Sequence, residues 1–137
     1  HGIRRRKIIV YMLYNFDDTP EDLFERMRDV LSWGAVIYPM RYEPLNTLER
    51  WRYVSPGWSP EELEQVEDFR RVYGFGGMFP PYRWLVERFM RASSFEEAFK
   101  LPKPGEHPKR VKKPYYASWR KEKDWRKVIK QCLAKQW

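Results

Sequence analysis

The sequence predicts an α/β fold: a strand–helix–strand unit with parallel strands, followed by additional C-terminal helices. Three observations carry this reading. Residues 8–14, Ile-Ile-Val-Tyr-Met-Leu-Tyr, form a short apolar run rich in β-branched and aromatic side chains, the pattern of a strand buried on both faces. Behind it Leu23, Phe24, Met27, Val30 and Leu31 recur at helical spacing and make one apolar stripe. Ala35-Val36-Ile37-Tyr38 then reads as a second strand, ended by Pro39. Residues 8–40 thus have about the length of one βαβ unit, for which a right-handed crossover is expected.

Each element has its own punctuation. Thr19-Pro20-Glu21-Asp22 opens the first helix. The Thr19 hydroxyl accepts from an orphan N–H, Pro20 suits the first helical position, and Glu21 and Asp22 face the positive end of the dipole. Gly34 stops the helix. Residues 41–58, with Pro44, Pro56 and Gly57, read as an irregular loop. Ser59-Pro60-Glu61-Glu62 repeats the cap, and Leu63, Val66, Phe69, Val72 and Tyr73 supply an apolar face. Gly74-Phe75-Gly76-Gly77 breaks that helix; without the Lys-Ser/Thr of a phosphate loop it reads as a turn. Pro81 begins a short helix through Trp84, Leu85 and Phe89, and Ser94 caps another through Phe95, Ala98 and Phe99. Pro102, Pro104, Pro108 and Pro114 mark a linker, and a last helix from Ser118 to Lys135 carries the stripe Trp125, Val128, Ile129, Cys132, Leu133. The division is therefore an α/β domain over 3–101 and a basic, Pro-rich linker and helix over 102–137. One further strand, near Val72–Met78, is the most the chain offers. So small a parallel sheet needs cover: its helices wrap it, another copy completes it, or the chain is a piece of a larger barrel.

Composition sets limits. The 137 residues are 42% hydrophobic and 18% aromatic, which supports a modest core and argues against global disorder. No apolar run approaches the roughly 20 residues of a membrane helix, and no secretory pattern is present; no membrane partner is expected. His1-Gly2 reads as a remnant of expression, outside the fold. The single cysteine, Cys132, excludes an intrachain disulfide and any cysteine-held cluster and fits a reducing, cytoplasmic setting. Charge is uneven: residues 103–137 carry 12 Lys/Arg against three acids, a net +9, while the other 102 residues carry 15 against 16, a net −1. A basic stretch of this kind has affinity for polyanions.

Asn15-Phe16-Asp17-Asp18-Thr19-Pro20-Glu21-Asp22 holds four carboxylates at the mouth of the first strand, the edge at which parallel sheets bind ligands. Helix-start chemistry explains Glu21 and Asp22. Asp17 and Asp18 have no cap duty and form a lip with Asn15. Arg41, just past the second strand, can bind a carboxylate or phosphate; a salt bridge with Asp17 or Asp18 is the favoured expectation. Trp51-Arg52-Tyr53, Trp58, Tyr115-Tyr116 and Trp119-Arg120 interleave rings and cations as single-strand binders do, although 24 aromatic residues are more simply needed to build the core. His107 has no partner motif, and Cys132 sits on an apolar stripe. With His1 and His107 as the only histidines, no nucleophilic triad is available. A hydrolase metal site on Asp17 and Asp18 lacks histidine ligands and a second acidic cluster.

Tyr-Met-Leu-Tyr-Asn-Phe-Asp-Asp-Thr-Pro-Glu-Asp-Leu-Phe (11–24) resembles a late strand-to-helix turn of the radical S-adenosylmethionine barrel, and Val-Ile-Tyr-Pro-Met-Arg-Tyr-Glu-Pro-Leu-Asn-Thr (36–47) resembles its sixth strand and loop. The likeness covers residues 8–47. It implies a partial (β/α) barrel, and a parent protein that uses S-adenosylmethionine and a 4Fe–4S cluster held by a CxxxCxxC loop. It places Asn15, Asp17, Asp18, Met40 and Arg41 near the cofactor. Tyr14 stands near the family's glycine, a departure that reshapes or obstructs the pocket. Because the chain lacks the cysteine loop, the resemblance implies a C-terminal part, without a cofactor and without activity of its own. It would self-associate or join a missing N-terminal half. The alternative reading is a free-standing basic adaptor that binds nucleic acid or a protein through Lys109, Arg110, Lys112, Lys113, Trp119 and Arg120.

Overall fold

Strand β1 (Ile9–Tyr14) leads into helix α1 (Pro20–Ser32) and back to strand β2 (Val36–Arg41). The strands are parallel, with Ile9 opposite Val36 and Tyr14 opposite Arg41. Helices α2 (Pro60–Tyr73), α3 (Arg83–Arg91) and α4 (Phe95–Ala98) follow. The computed structural model describes residues 8–74, 76–79 and 83–101. Phe75, Pro81 and the whole 102–137 stretch, with His107, Lys109, Arg110, Lys112, Lys113, Trp119, Arg120 and Cys132, lie outside them. No helix among the described residues is long and apolar enough to cross a membrane.

The local signals of the sequence are realised. Thr19 caps α1 in a full capping box: its hydroxyl accepts from the Asp22 N–H and the Asp22 carboxylate accepts from the Thr19 N–H. Ser59 and Glu62 do the same for α2, and Ser94 caps α4. Gly34, at φ 77°, takes the left-handed conformation that lets the chain leave α1 for β2.

Pro39 does not end the second strand, which runs on to Arg41. The hydrogen bonds show why a proline is tolerated. Val36 donates to the Ile8 carbonyl and Tyr42 to the Tyr14 carbonyl, so the even-numbered N–H groups of β2 face β1. Ile37 donates the other way, to the Phe79 carbonyl. Pro39 shares the side of Ile37, so its missing N–H falls on the outer edge and costs the β1–β2 ladder nothing. The extra strand expected near Val72–Met78 is reduced to a single antiparallel bridge, Ile37 with Phe79, because α2 holds the chain helical through Tyr73.

One face of the sheet is covered. Met12, Tyr14 and Ile37 join Leu23, Phe24, Met27, Val30 and Leu31 of α1, and Leu63, Val66, Phe69, Leu85, Phe89, Phe95 and Phe99 of the later helices, in one core. The other face carries Ile9, Tyr11, Leu13 and Met40, which are 44, 67, 44 and 43% exposed, beside buried Val36 and half-buried Tyr38, over whose ring Arg70 lies. The apolar run of β1 predicts a strand covered on both faces, whereas Ile9, Tyr11 and Leu13 leave its second face largely exposed.

Candidate functional site

The C-terminal ends of the two strands meet at Asn15. Its backbone is left-handed, φ 64°, a conformation asparagine tolerates better than most residues. Its fully buried side chain is committed to the loop that follows β2. The amide donates to the carbonyls of Tyr42 (3.2 Å) and Tyr53 (2.9 Å), and its oxygen accepts from the Ser55 N–H (2.8 Å). A buried amide with its partners in place fixes the geometry around it. Arg41 works on the same loop: its guanidinium donates to the carbonyls of Tyr53 (3.1 Å) and Trp51 (3.3 Å), with the Trp51 ring 5.4 Å away. Asn15 and Arg41 thus converge on the Tyr53 carbonyl, one from each strand. The favoured salt bridge of Arg41 with Asp17 or Asp18 gives way to this arrangement, because the 51–53 backbone folds back across the strand end.

Asp18 is the second hub. One carboxylate oxygen accepts from the Phe16 N–H (3.1 Å) and the Trp58 indole N–H (2.9 Å). The other pairs with Arg26 of α1. Asp18 therefore joins the strand exit, the first helix and the loop entering α2. Asp22 beside it is held below the usual carboxylate range, chiefly by the Thr19 N–H and then by the Thr19 hydroxyl. Gly57 completes the packing: a Cβ there would strike the Asp18 carbonyl.

Between these hubs lies a shallow cleft of about 180 Å³, lined by Asp17, Asp18, Asp22, Ser55 and Gly57 among others. The Ser55 hydroxyl and the Arg41 Nε are buried without a hydrogen-bond partner. Asp17 is exposed at the lip. Met40 is on the opposite, open face of the sheet, in register with Leu13. Of the five candidate residues, the structure brings Asn15, Asp17 and Asp18 to one strand exit and sets Arg41 beside them, while Met40 points elsewhere. No group of three or more His, Cys, Asp or Glu among the described residues is placed to hold a metal ion.

Several interactions have no signature in the sequence. Tyr14 donates its phenol proton to Glu67 of α2. Burial, reinforced by that carboxylate, holds the Tyr14 phenol well above its ordinary value. Arg70 donates to both Glu67 oxygens (3.3 Å) and lies 5.3 Å from the Tyr38 ring. Together these groups lock α2 onto the sheet. Glu21, assigned to the dipole of α1, accepts from the Phe95 N–H (3.0 Å) at the start of α4. Trp58 is buried in the core, so of the loop aromatics Trp51, at 57% exposed, remains the most open.

Protein-family models, curated proteins and solved structures all yield no match to this chain.

Proposed function

We propose that the chain is the C-terminal part of a partial (β/α) barrel from a radical S-adenosylmethionine-like protein, structurally complete at one edge and not catalytically competent by itself. The observation that carries the reading is the asymmetry of the sheet. The outer edge of β2 is closed by the Phe79 bridge and by Pro39, whereas among the described residues nothing pairs with the outer edge of β1. Further strands can therefore add beside β1 alone. The exposed apolar side of β1, Ile9, Tyr11 and Leu13, is the side that would line an interrupted barrel, with α1 on the outside. The 4Fe–4S cluster does not fit this chain: it needs several thiolates, and Cys132 is the single cysteine. Asn15, Asp18 and Arg41 shape the strand-end loops, and Asp17 and the Ser55 hydroxyl are the groups along the cleft left for a ligand. The test is to read the natural frame upstream of Ile3 and express it anaerobically with iron and sulfide. A CxxxCxxC segment, cluster absorbance and reductive cleavage of S-adenosylmethionine are expected; a frame without the cysteine triad overturns the reading.

A second reading rests on charge, the +9 of residues 103–137 beside a body of −1. It makes the chain an adaptor for nucleic acid. Affinity for single-stranded DNA should then fall steeply with salt, and binding that survives deletion of 103–137 would exclude it.

A further inference from the structure

The loop between β2 and α2 carries apolar side chains that the core does not use. Residues 45–52 are all exposed; Leu45 and Leu48 are fully so, and Trp51 is more than half exposed. A solitary exposed leucine is ordinary, but here three large apolar side chains fall within one short stretch. The stretch also has a defined frame. Its base is closed where the Trp51 N–H donates to the Glu43 carboxylate, and inside it the Thr47 hydroxyl donates to the Pro44 carbonyl (3.1 Å). Loops closed in this way, with their ends close together, are frequently functional. Trp51 takes φ 68°, a strained backbone for a bulky residue. Arg41 holds it there, donating to its carbonyl and lying 5.4 Å from its ring. Strain retained at an exposed ring is characteristic of recognition sites. We propose that this loop docks on an anionic phospholipid surface, with Leu45, Leu48 and Trp51 entering the boundary between headgroups and acyl chains and Arg50 among the headgroups.

Side-chain chemistry and charge favour this occupant. A bilayer interface accepts leucine without a shaped pocket and concentrates tryptophan. Nucleic acid would use the Trp51 ring, but Leu45 and Leu48 have no ring face on which a base could stack. Of the two acids in the loop, Glu43 is turned to the Trp51 N–H and Glu49 is paired with Arg52 (2.9 Å), while exposed Arg50 adds positive charge. The chain as a whole carries +8, and a net positive charge is drawn to an anionic membrane surface. Apolar insertion and electrostatic attraction together set the strength of surface binding. The expectation of no membrane partner came from the lack of a spanning run, and a loop that lies at the surface needs none. The docking uses only the exposed loop, so a reading frame without a cysteine triad leaves it standing, and its own failure leaves the barrel reading standing.

The test uses the full chain with its one cysteine removed, Cys132→Ser. A reporter cysteine is placed at Asn46→Cys, between the two leucines, or at Glu25→Cys on α1 as a control; both positions are exposed. Each variant is labelled with a polarity-sensitive fluorophore. It is then mixed with vesicles of phosphatidylcholine and phosphatidylserine, with vesicles of phosphatidylcholine alone, or with single-stranded DNA. The label at 46 should brighten and shift to the blue on the mixed vesicles and not on the neutral ones; the label at 25 should stay unchanged. Because Leu45 and Leu48 are fully exposed, the double variant Leu45→Ser, Leu48→Ser should keep the wild-type thermal midpoint. It should lose at least roughly tenfold in affinity for the mixed vesicles. No change at 46, an equal change at 25, or an equal response to neutral vesicles overturns the proposal. Unchanged affinity in the double variant also overturns it and assigns membrane binding to charge alone. A response at 46 to DNA with none to vesicles does the same and assigns the loop to nucleic acid.

Discussion

Asn15 holds three backbone groups that are distant in sequence, Tyr42, Tyr53 and Ser55, and it does so from a left-handed backbone. Asn15→Ala leaves those buried groups unpaired and removes the short polar side chain that lets asparagine tolerate φ 64°. A loss of about 2–4 kcal/mol is expected in urea unfolding. Asn15→Gly relieves the backbone while losing the same hydrogen bonds, so it should lie between the wild type and alanine. Gly57 makes a different kind of demand. Its added Cβ meets the Asp18 carbonyl, which is backbone and cannot swing away. Gly57→Ala should cost about 2 kcal/mol or more and should weaken the Trp58–Asp18 bond, seen as a shift in indole emission. The sequence marks Asn15 and Asp18 as lip residues but not their partners, because hydrogen bonds spanning 27 to 40 residues leave no local pattern.

Caps are local, and for that reason the helices are legible in the sequence. Thr19 with Asp22 and Ser59 with Glu62 each act within four consecutive residues, so their residue types alone announce the start of α1 and α2. Thr19→Ala and Ser59→Ala should each cost about 1 kcal/mol. The pH dependence follows from the carboxylates. Asp22 is lowered from its ordinary 3.8 by the Thr19 N–H and hydroxyl, and Glu97 is lowered from 4.5 by the N–H and hydroxyl of Ser93. A depressed folded value means that the stabilisation is complete above the ordinary value and is lost as pH falls through the lower folded one. Thermal midpoints should therefore hold steady above about pH 5 and fall below it, and Asp22→Asn should flatten part of that acid limb. Pro39 was illegible for the opposite reason: whether a proline breaks a strand depends on which edge its missing N–H faces, and hydrophobic pattern does not encode that side.

For the whole molecule, the same edge argument applies to β1, where it discriminates between a finished sheet and an interrupted one. The carbonyls of Ile8 and Tyr14 face β2, so the backbone groups of Ile9, Tyr11 and Leu13 point outward, toward any strand that joins. Tyr11→Pro removes an outward N–H at an exposed position and leaves the β1–β2 ladder intact, as Pro39 does natively on the far edge. In the chain alone it should cost about 1 kcal/mol, chiefly through the Tyr11–Tyr38 ring contact at 5.5 Å. Met12→Pro removes an inward N–H and a core side chain, and should cost more than about 3 kcal/mol. If further strands join at β1, the ranking changes in the protein translated from the full natural reading frame. There Tyr11→Pro blocks the joining strand and should be as damaging as Met12→Pro, read as loss of folded, cluster-bearing protein. If Tyr11→Pro stays as mild in the long protein as in the short one, no strand pairs with β1, and the sheet is already complete at two strands.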